Sequence, residues 1–210
     1  MGFATWYDQT ILPRFIKCAC ADPKIAAMRA QVVPLAQGRV FELGVGGGLN
    51  QPHYDRAKVT SFSGIDPSGK LLDYAREAAL ERGWDADIRA GIGEAIPFED
   101  ESFDSVVSTY TLCSVSDQAQ VLKELRRILK PGGKLLFLEH GKSPDPGPAK
   151  WQRRIEPVWK RMMGNCHLTR EVAGAVGAGG FSVEASDRKY MEKMPRWAGW
   201  TEWGVAVKAG

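Results

Sequence analysis

From Arg39 onward the sequence alternates short β-rich runs with stretches of helical periodicity, and no other feature narrows the fold so far. The runs are RVFEL (39–43), TSFSGID (60–66), ADIRAG (86–91), SFDSVVSTYTL (102–112), KLLFLEHG (134–141), FSVEAS (181–186) and GVAVKAG (204–210). Ser68 is placed to cap a helix whose apolar stripe is Leu71, Leu72, Ala75, Ala78 and Ala79, and Gly83 stops it. Asp117 is placed to cap a second, with Val121, Leu122, Leu125, Ile128 and Leu129 inward and Pro131-Gly132-Gly133 as its end. SPDPGPAK (143–150) reads as a loop, WQRRIEPVWKRMMG (151–164) as a helix interrupted at Pro157, and Thr169 as the cap of a helix over REVAGAVG. Alternation of this kind implies an α/β fold, a doubly wound, mostly parallel seven-stranded sheet with helices on both faces. In such sheets ligands gather outside the carboxyl ends of the strands, so the residues ending each run are where chemistry is expected.

The chain of 210 residues suits one domain, and 44% hydrophobic with 25% charged residues is a globular composition. A net charge of +3 gives no electrostatic case for nucleic acid. The four cysteines are Cys18, Cys20, Cys113 and Cys166; none forms a C-x-x-C pair, and His53, His140 and His167 lack zinc-site spacing, so no metal is expected. Free thiols, the absence of a signal-peptide pattern at the start and the absence of an apolar run of membrane-spanning length lead to a cytoplasmic expectation.

FELGVGGGLN (41–50) follows the first run directly. A Walker loop needs Lys and Ser/Thr after its last glycine; Leu49 and Asn50 follow Gly48, so that reading fails. The dinucleotide pattern G-x-G-x-x-G fits Gly44 and Gly46 but meets Leu49 at its third glycine. What fits throughout is E-x-G-x-G-x-G, with Glu42, Gly44, Gly46 and Gly48; Gly47 occupies no required position. Asp66 then ends the second run, where an acid accepts hydrogen bonds from ribose hydroxyls.

This loop, IDPS (65–68), GIGEAIPFEDESFDSVVS (91–108) and LKELRRILKPGGKLLFLEH (122–140) together resemble the successive motifs of class I S-adenosylmethionine-dependent methyltransferases. The resemblance implies the Rossmann-like sheet of that family, S-adenosylmethionine as cofactor and S-adenosylhomocysteine as product. It implies cofactor contacts at Glu42, Gly44, Gly46, Gly48, Asn50, Asp66, Pro67, Ser68, Gly93, Glu94, Ala95 and Thr109, with Tyr7 covering the ligand. STYTLCSVSD (108–117), LFLEHGKSPD (136–145), WQRRIEPVWKRMMGNCHLTRE (151–171) and WGVAVK (203–208) are similar to the methyltransferase-like thiol methyltransferases of animals and their bacterial relatives. The animal proteins carry an N-terminal membrane-anchoring segment and no such run opens this sequence, so membrane association is not expected to transfer.

The resulting expectation is one domain. Residues 1–37 form cap helices, residues 38–141 the cofactor core, and residues 142–210 an acceptor-side helix with the last strands. The acceptor is expected to be a small, apolar molecule, by preference a thiol, in a pocket lined by Cys113, His140, Asn165, Cys166 and His167. His140 is the candidate catalytic residue, since imidazole titrates near neutrality. The alternatives are N- or O-methylation of a lipid head group or other small molecule, a nucleotide-binding oxidoreductase, or a non-catalytic cofactor-binding protein. Basic residues around Trp151 and Trp159 also fit a membrane-surface helix, though Pro157 and Glu156 interrupt it and a solvated face is the default. A monomer or weak homodimer completes the expectation.

Overall fold

RVFEL becomes the central strand β1 (Gly38–Leu43), in which Val40 to Leu43 are all buried. That continuous burial follows from its neighbours: β2 (Val59–Asp66) and β4 (Phe103–Thr109) pair with it in parallel on either side. The computed structural model describes residues 11–209. The other strands are β3 (Ala86–Ala90), β5 (Leu129–His140), β6 (Phe181–Tyr190) and β7 (Trp200–Lys208). They form one seven-stranded sheet in the order β3-β2-β1-β4-β5-β7-β6. Only β7 runs against its neighbours, β5 and β6. The mostly parallel, doubly wound α/β sheet expected from the sequence is therefore the observed one.

Strand periodicity divides the core into two layers. Phe41, Leu43, Val106, Leu135 and Phe137 face α4 (Gln118–Ile128), whose Val121, Leu122, Leu125 and Ile128 are buried, and α6 (Val172–Ala178). Val40, Phe62, Val107, Leu136 and Leu138 face the opposite layer. Those residues pack on α2 (Pro23–Val32) and α3 (Gly69–Glu81), through Met28, Val32, Leu72, Ala75 and Ala79. Each fully buried large apolar side chain contributes ~1.5–3 kcal/mol, so the sheet is held from both faces. A shorter helix, α1 (Leu12–Cys20), precedes α2, and α5 (Pro146–Met162) follows β5.

Several local expectations are corrected. Ser68 sits at the start of α3 but its side chain makes no cap; Asp66 takes the Ser68 backbone N–H instead, at 2.8 Å. Asp117 does cap α4, accepting from the Gln120 N–H at 3.0 Å. Pro131-Gly132-Gly133 does not end α4, which stops at Ile128; the three residues form an irregularity within β5, where the register against β4 shifts. SPDPGPAK is not all loop, because α5 starts at Pro146. A proline in the first turn lacks only an N–H that would have had no partner there. Pro157 lies inside α5 without ending it. Thr169 caps nothing: its N–H donates to Glu156 Oε2 at 2.9 Å, and α6 begins only at Val172. The first turn of α6 is held from β7, where Glu202 Oε2 accepts the Ala173 N–H at 2.9 Å.

Strand order in the sheet reverses between the parallel neighbours β1 and β4: β2 and β3 are added on one side, β5 on the other. This switch point opens a crevice at the carboxyl ends of β1 and β4, and the glycine loop leads into it.

Candidate cofactor and acceptor site

A cavity of about 610 Å³ lies at that crevice, roofed by α1 and α2 and walled by the loops after β1, β2, β3, β4 and α5 and by His140 at the end of β5. At one end is the glycine loop. Gly44, Gly46 and Gly48 all have positive φ, at 66°, 50° and 75°, a conformation that favours glycine. Their surroundings differ. A Cβ on Gly44 would run into Thr111, and one on Gly46 would find only the Gly44 carbonyl, at 3.9 Å. A Cβ on Gly48 would lie 2.7 Å from the Ala78 Cβ on α3. Gly48 is thus a packing glycine and does not line the cavity, contrary to the cofactor contact expected of it. The unassigned Gly47 lies under α1, where a Cβ would meet the Lys17 stem at 2.9 Å.

Asp66, buried at the end of β2, binds this loop to its own turn. Its Oδ2 accepts the Gly46 N–H at 3.0 Å and its Oδ1 that of Ser68. Burial raises its pKa above the ordinary aspartate value, against these two hydrogen bonds. Glu42, near the end of β1, accepts from Asn50 Nδ2 at 2.9 Å and from the Tyr54 hydroxyl at 2.7 Å. Asn50 Nδ2 also reaches Thr109 Oγ1 at 3.0 Å, tying β1 to β4. Burial pushes Glu42 up to about 7, although the Tyr54 and Asn50 hydrogen bonds pull the other way.

Arg29 enters this end from α2 and was not foreseen from the sequence. It lines the cavity with only 4% of its surface exposed. One Nη donates to the Cys20 carbonyl at 2.6 Å, and Nε has no partner among the described residues. A buried cation on the cavity lining, close enough to act on the Glu42 carboxylate without pairing with it, suits an anionic ligand group. The third wall holds Gly91, Ile92, Gly93 and Glu94. Glu94 accepts the N–H groups of Ser116 and Asp117 at 2.8 and 3.0 Å, which fixes this wall to the start of α4. Ala95, for which a cofactor contact is expected, is exposed and lies off the cavity lining; Pro67 and Ser68 do line it. Tyr7 lies outside the described residues.

The other end is organised by Glu139 on β5, which is fully buried and accepts four hydrogen bonds. They come from Ser108 Oγ at 2.7 Å and from the N–H groups of Thr111, Leu112 and Cys113 at 3.1, 3.0 and 3.2 Å. The carboxylate thus fixes the turn after β4, in which Tyr110 adopts a positive φ of 53°. His140, the last residue of β5, lines the cavity with its ring edge-on to Tyr110 at 4.7 Å. Its Nδ1 is 3.4 Å from Cys166 Sγ, and Cys166 Sγ is 3.6 Å from Cys113 Sγ.

Cys166 comes from the loop after α5. Asn165, at φ 67°, donates to the Ser114 carbonyl at 2.8 Å, and the His167 N–H donates to the Cys113 carbonyl at 2.8 Å. Arg170 donates to the carbonyls of Leu112 and Val115 at 2.8 and 2.7 Å. Cys113, His140, Asn165 and Cys166 therefore meet on one wall. His167 does not join them; its ring points to Glu156, 3.3 Å away, a departure from the pocket role expected of it. The Cys113 hydrogen bond, with His140 beside it, holds the Cys166 thiol well below the ordinary range against burial. For His140, burial acts to lower the pKa, but neighbouring Cys166 outweighs it and the net shift is upward.

The residues fit the cofactor implied by the resemblance. Gly46 leaves room where a side chain would project, Asp66 retains acceptor capacity, and Arg29 brings a cation to the cavity lining that Glu42 and Asn50 share.

Residues 41–137 match a family model described as "Methyltransferase domain". The chain is similar to "Thiol S-methyltransferase TMT1B" of Rattus norvegicus, 39% identical over 137 residues, covering 63% of this chain and 55% of that protein. It is similar also to "Phosphatidylethanolamine N-methyltransferase" of Cereibacter sphaeroides, 37% identical over 114 residues, covering 53% of this chain and 54% of that protein. In both matches the shared stretch spans a little over half the relative's length. Among solved structures, geranyl diphosphate methyltransferase in complex with SAM aligns with a TM-score of 0.71 at 17% identity, covering 88% of this chain and 84% of the other. That likeness shows the fold.

Proposed function

The chain belongs to the class I S-adenosylmethionine-dependent methyltransferases, its methyltransferase domain lying at residues 41–137, and from that premise we propose that it methylates a small thiol. One observation carries the reading: the glycine loop with Asp66 and the Cys113–His140 wall open into the same cavity. In this reading Asp66 holds the cofactor's ribose hydroxyls, and Glu42 with Asn50 serves its ammonium end. Arg29 takes its carboxylate, and Ile92, Gly93 and Leu71 flank the adenine. S-adenosylmethionine, when bound, supplies a methyl carbon activated by a sulfonium.

The protein's part is then to position, to desolvate and to exclude water, and good positioning alone supplies ~7–11 kcal/mol of such a barrier. The acceptor wall suits a thiol because it is apolar and rich in sulfur. Leu12, Ile16, Met163, Cys113 and Cys166 all line the cavity. A thiol of pKa ~8.5 is already partly ionised at neutral pH and needs little help from a base. His140, with Nδ1 against Cys166, therefore serves as a positioning residue of this wall.

A second reading is methylation of a lipid amine. The phosphatidylethanolamine N-methyltransferase relative favours it, as do the exposed Ile11 and Phe15 near the cavity roof. Among the described residues no helix is long and apolar enough to cross a membrane. A panel of alkyl thiols, phosphatidylethanolamine vesicles and phenols, offered with labelled methyl donor, separates the two. Transfer to thiols is expected; transfer only to the lipid amine would replace the first reading by the second.

A further inference from the structure

Cys113, His140 and Cys166 come from three separate elements, and their ligand atoms all lie within 4.8 Å of one another. We infer that these three residues form a site for a thiophilic divalent cation, zinc, with a fourth coordination position open to the cavity. Tetrahedral zinc with Zn–S of about 2.3 Å and Zn–N of about 2.0–2.1 Å requires S···S of ~3.8 Å and S···N of ~3.6 Å. The observed Sγ···Sγ of 3.6 Å and Sγ···Nδ1 of 3.4 Å are within about 0.2 Å of those edges. A disulfide would need the sulfurs at ~2.05 Å, so the two thiols stand at ligand spacing and not at bonding distance.

Two thiolates and an imidazole are the donors zinc favours over magnesium or calcium. Three protein ligands with one open position is the arrangement of catalytic zinc, whereas structural sites close all four. The backbone holds the ligands before any ion arrives. Glu139 fixes the Cys113 N–H, the Cys113 carbonyl receives the His167 N–H, and Asn165 anchors the Cys166 loop on Ser114.

Both cysteines ligate as thiolates, and loading the ion releases to solvent any thiol proton they still carry. An incoming thiol then replaces the water at the fourth position, forming a Zn–S bond and giving up its own proton to solvent. That exchange rests on the thiol-acceptor reading; the three-residue site does not.

Cobalt titration of the reduced protein tests this, with Co²⁺ as the spectroscopic probe for zinc. One equivalent is expected to bind with thiolate-to-cobalt charge-transfer absorption, and zinc is expected to displace it. Cys113→Ser and Cys166→Ser should each reduce that absorption. Each should weaken binding by at least roughly the 10–100-fold that even an outer-shell change costs. His140→Gln keeps both thiols and should weaken binding equally, which preserves the test if a serine variant fails to fold. No charge-transfer absorption in the reduced wild type, or absorption that survives both cysteine substitutions, overturns the site. Adding an alkyl thiol to the cobalt protein should intensify the charge-transfer band; an unchanged band overturns the open fourth position. A protein that loads cobalt yet methylates no thiol loses the proposed function and keeps the metal site.

Discussion

Asp66 has two tasks at once. It already accepts the N–H groups of Gly46 and Ser68, and an ionised carboxylate has about four acceptor positions, so about two remain for a ligand's hydroxyls. Asp66→Asn removes the charge and part of that capacity. S-adenosylhomocysteine affinity is expected to fall roughly tenfold or more by calorimetry, since a charged hydrogen bond is worth ~1.5–3 kcal/mol. Unchanged affinity would refute the ribose role. Glu42 gives a pH signature. Its pKa is about 7 in the fold against an ordinary 4.5, so between those values the folded state holds a proton that the unfolded chain has lost. The group's contribution is fully present below pH 4.5 and is lost as pH rises through about 7, with a limiting slope of about 1.4 kcal/mol per unit. Glu42→Gln, which mimics the protonated acid, should leave the melting temperature near wild type at pH ~5 and raise it at pH ~8. Equal shifts at both pH values would contradict this origin. Glu42 and Asp66 were legible in the sequence because each lies at a strand's carboxyl end beside a recognisable loop. Arg29 was not: nothing near it in the chain marks the cavity that folding α2 against β5 helps to enclose.

Among the elements, the turn after β4 depends on a carboxylate from the neighbouring strand. Glu139→Ala would strand three N–H groups and one hydroxyl, at ~1–3 kcal/mol for each donor left without a partner. A loss of about 3 kcal/mol or more in urea unfolding is expected, with Glu139→Gln milder because it keeps an acceptor. Similar losses for the two would show that the acceptor is not what matters. Gly48→Ala tests the packing glycine. A methyl group 2.7 Å from the Ala78 Cβ, at φ 75°, should cost ~1–3 kcal/mol of stability. A neutral effect would mean that α3 shifts freely. Motif spacing picked out Gly48 but not which way its missing side chain would face, and the structure turns it toward α3. Proline misled for a related reason. Pro146 and Pro157 are breakers in isolation, yet the first occupies a first-turn position and the second is carried within a helix of 17 residues. Pro131-Gly132-Gly133 followed a helix that had already ended at Ile128, as β5 begins one residue later.

For the whole molecule, the sheet order carries the functional argument. Because strand order reverses between β1 and β4, the ends of β1, β2, β4 and β5 converge on one cavity, and residues as distant in sequence as Leu12 and Cys166 line it together. Alternation and the strand-end rule made this architecture readable, since each depends on local periodicity and on the handedness of crossover connections. The Cys113–His140–Cys166 cluster was not readable as a unit. Its members are 27 and 26 positions apart, and only the docking of the loop after α5 onto the turn after β4 joins them. The central claim is that one cavity brings an S-adenosylmethionine methyl group to a thiol. The most direct measurement is mass spectrometry of the product formed from an alkyl thiol and a donor with a deuterated methyl group, in wild type and in Asp66→Asn. Labelled thioether is expected from wild type, with a rate lower by roughly tenfold or more in the variant at limiting donor. No labelled thioether from wild type, or equal rates from both proteins, would contradict it.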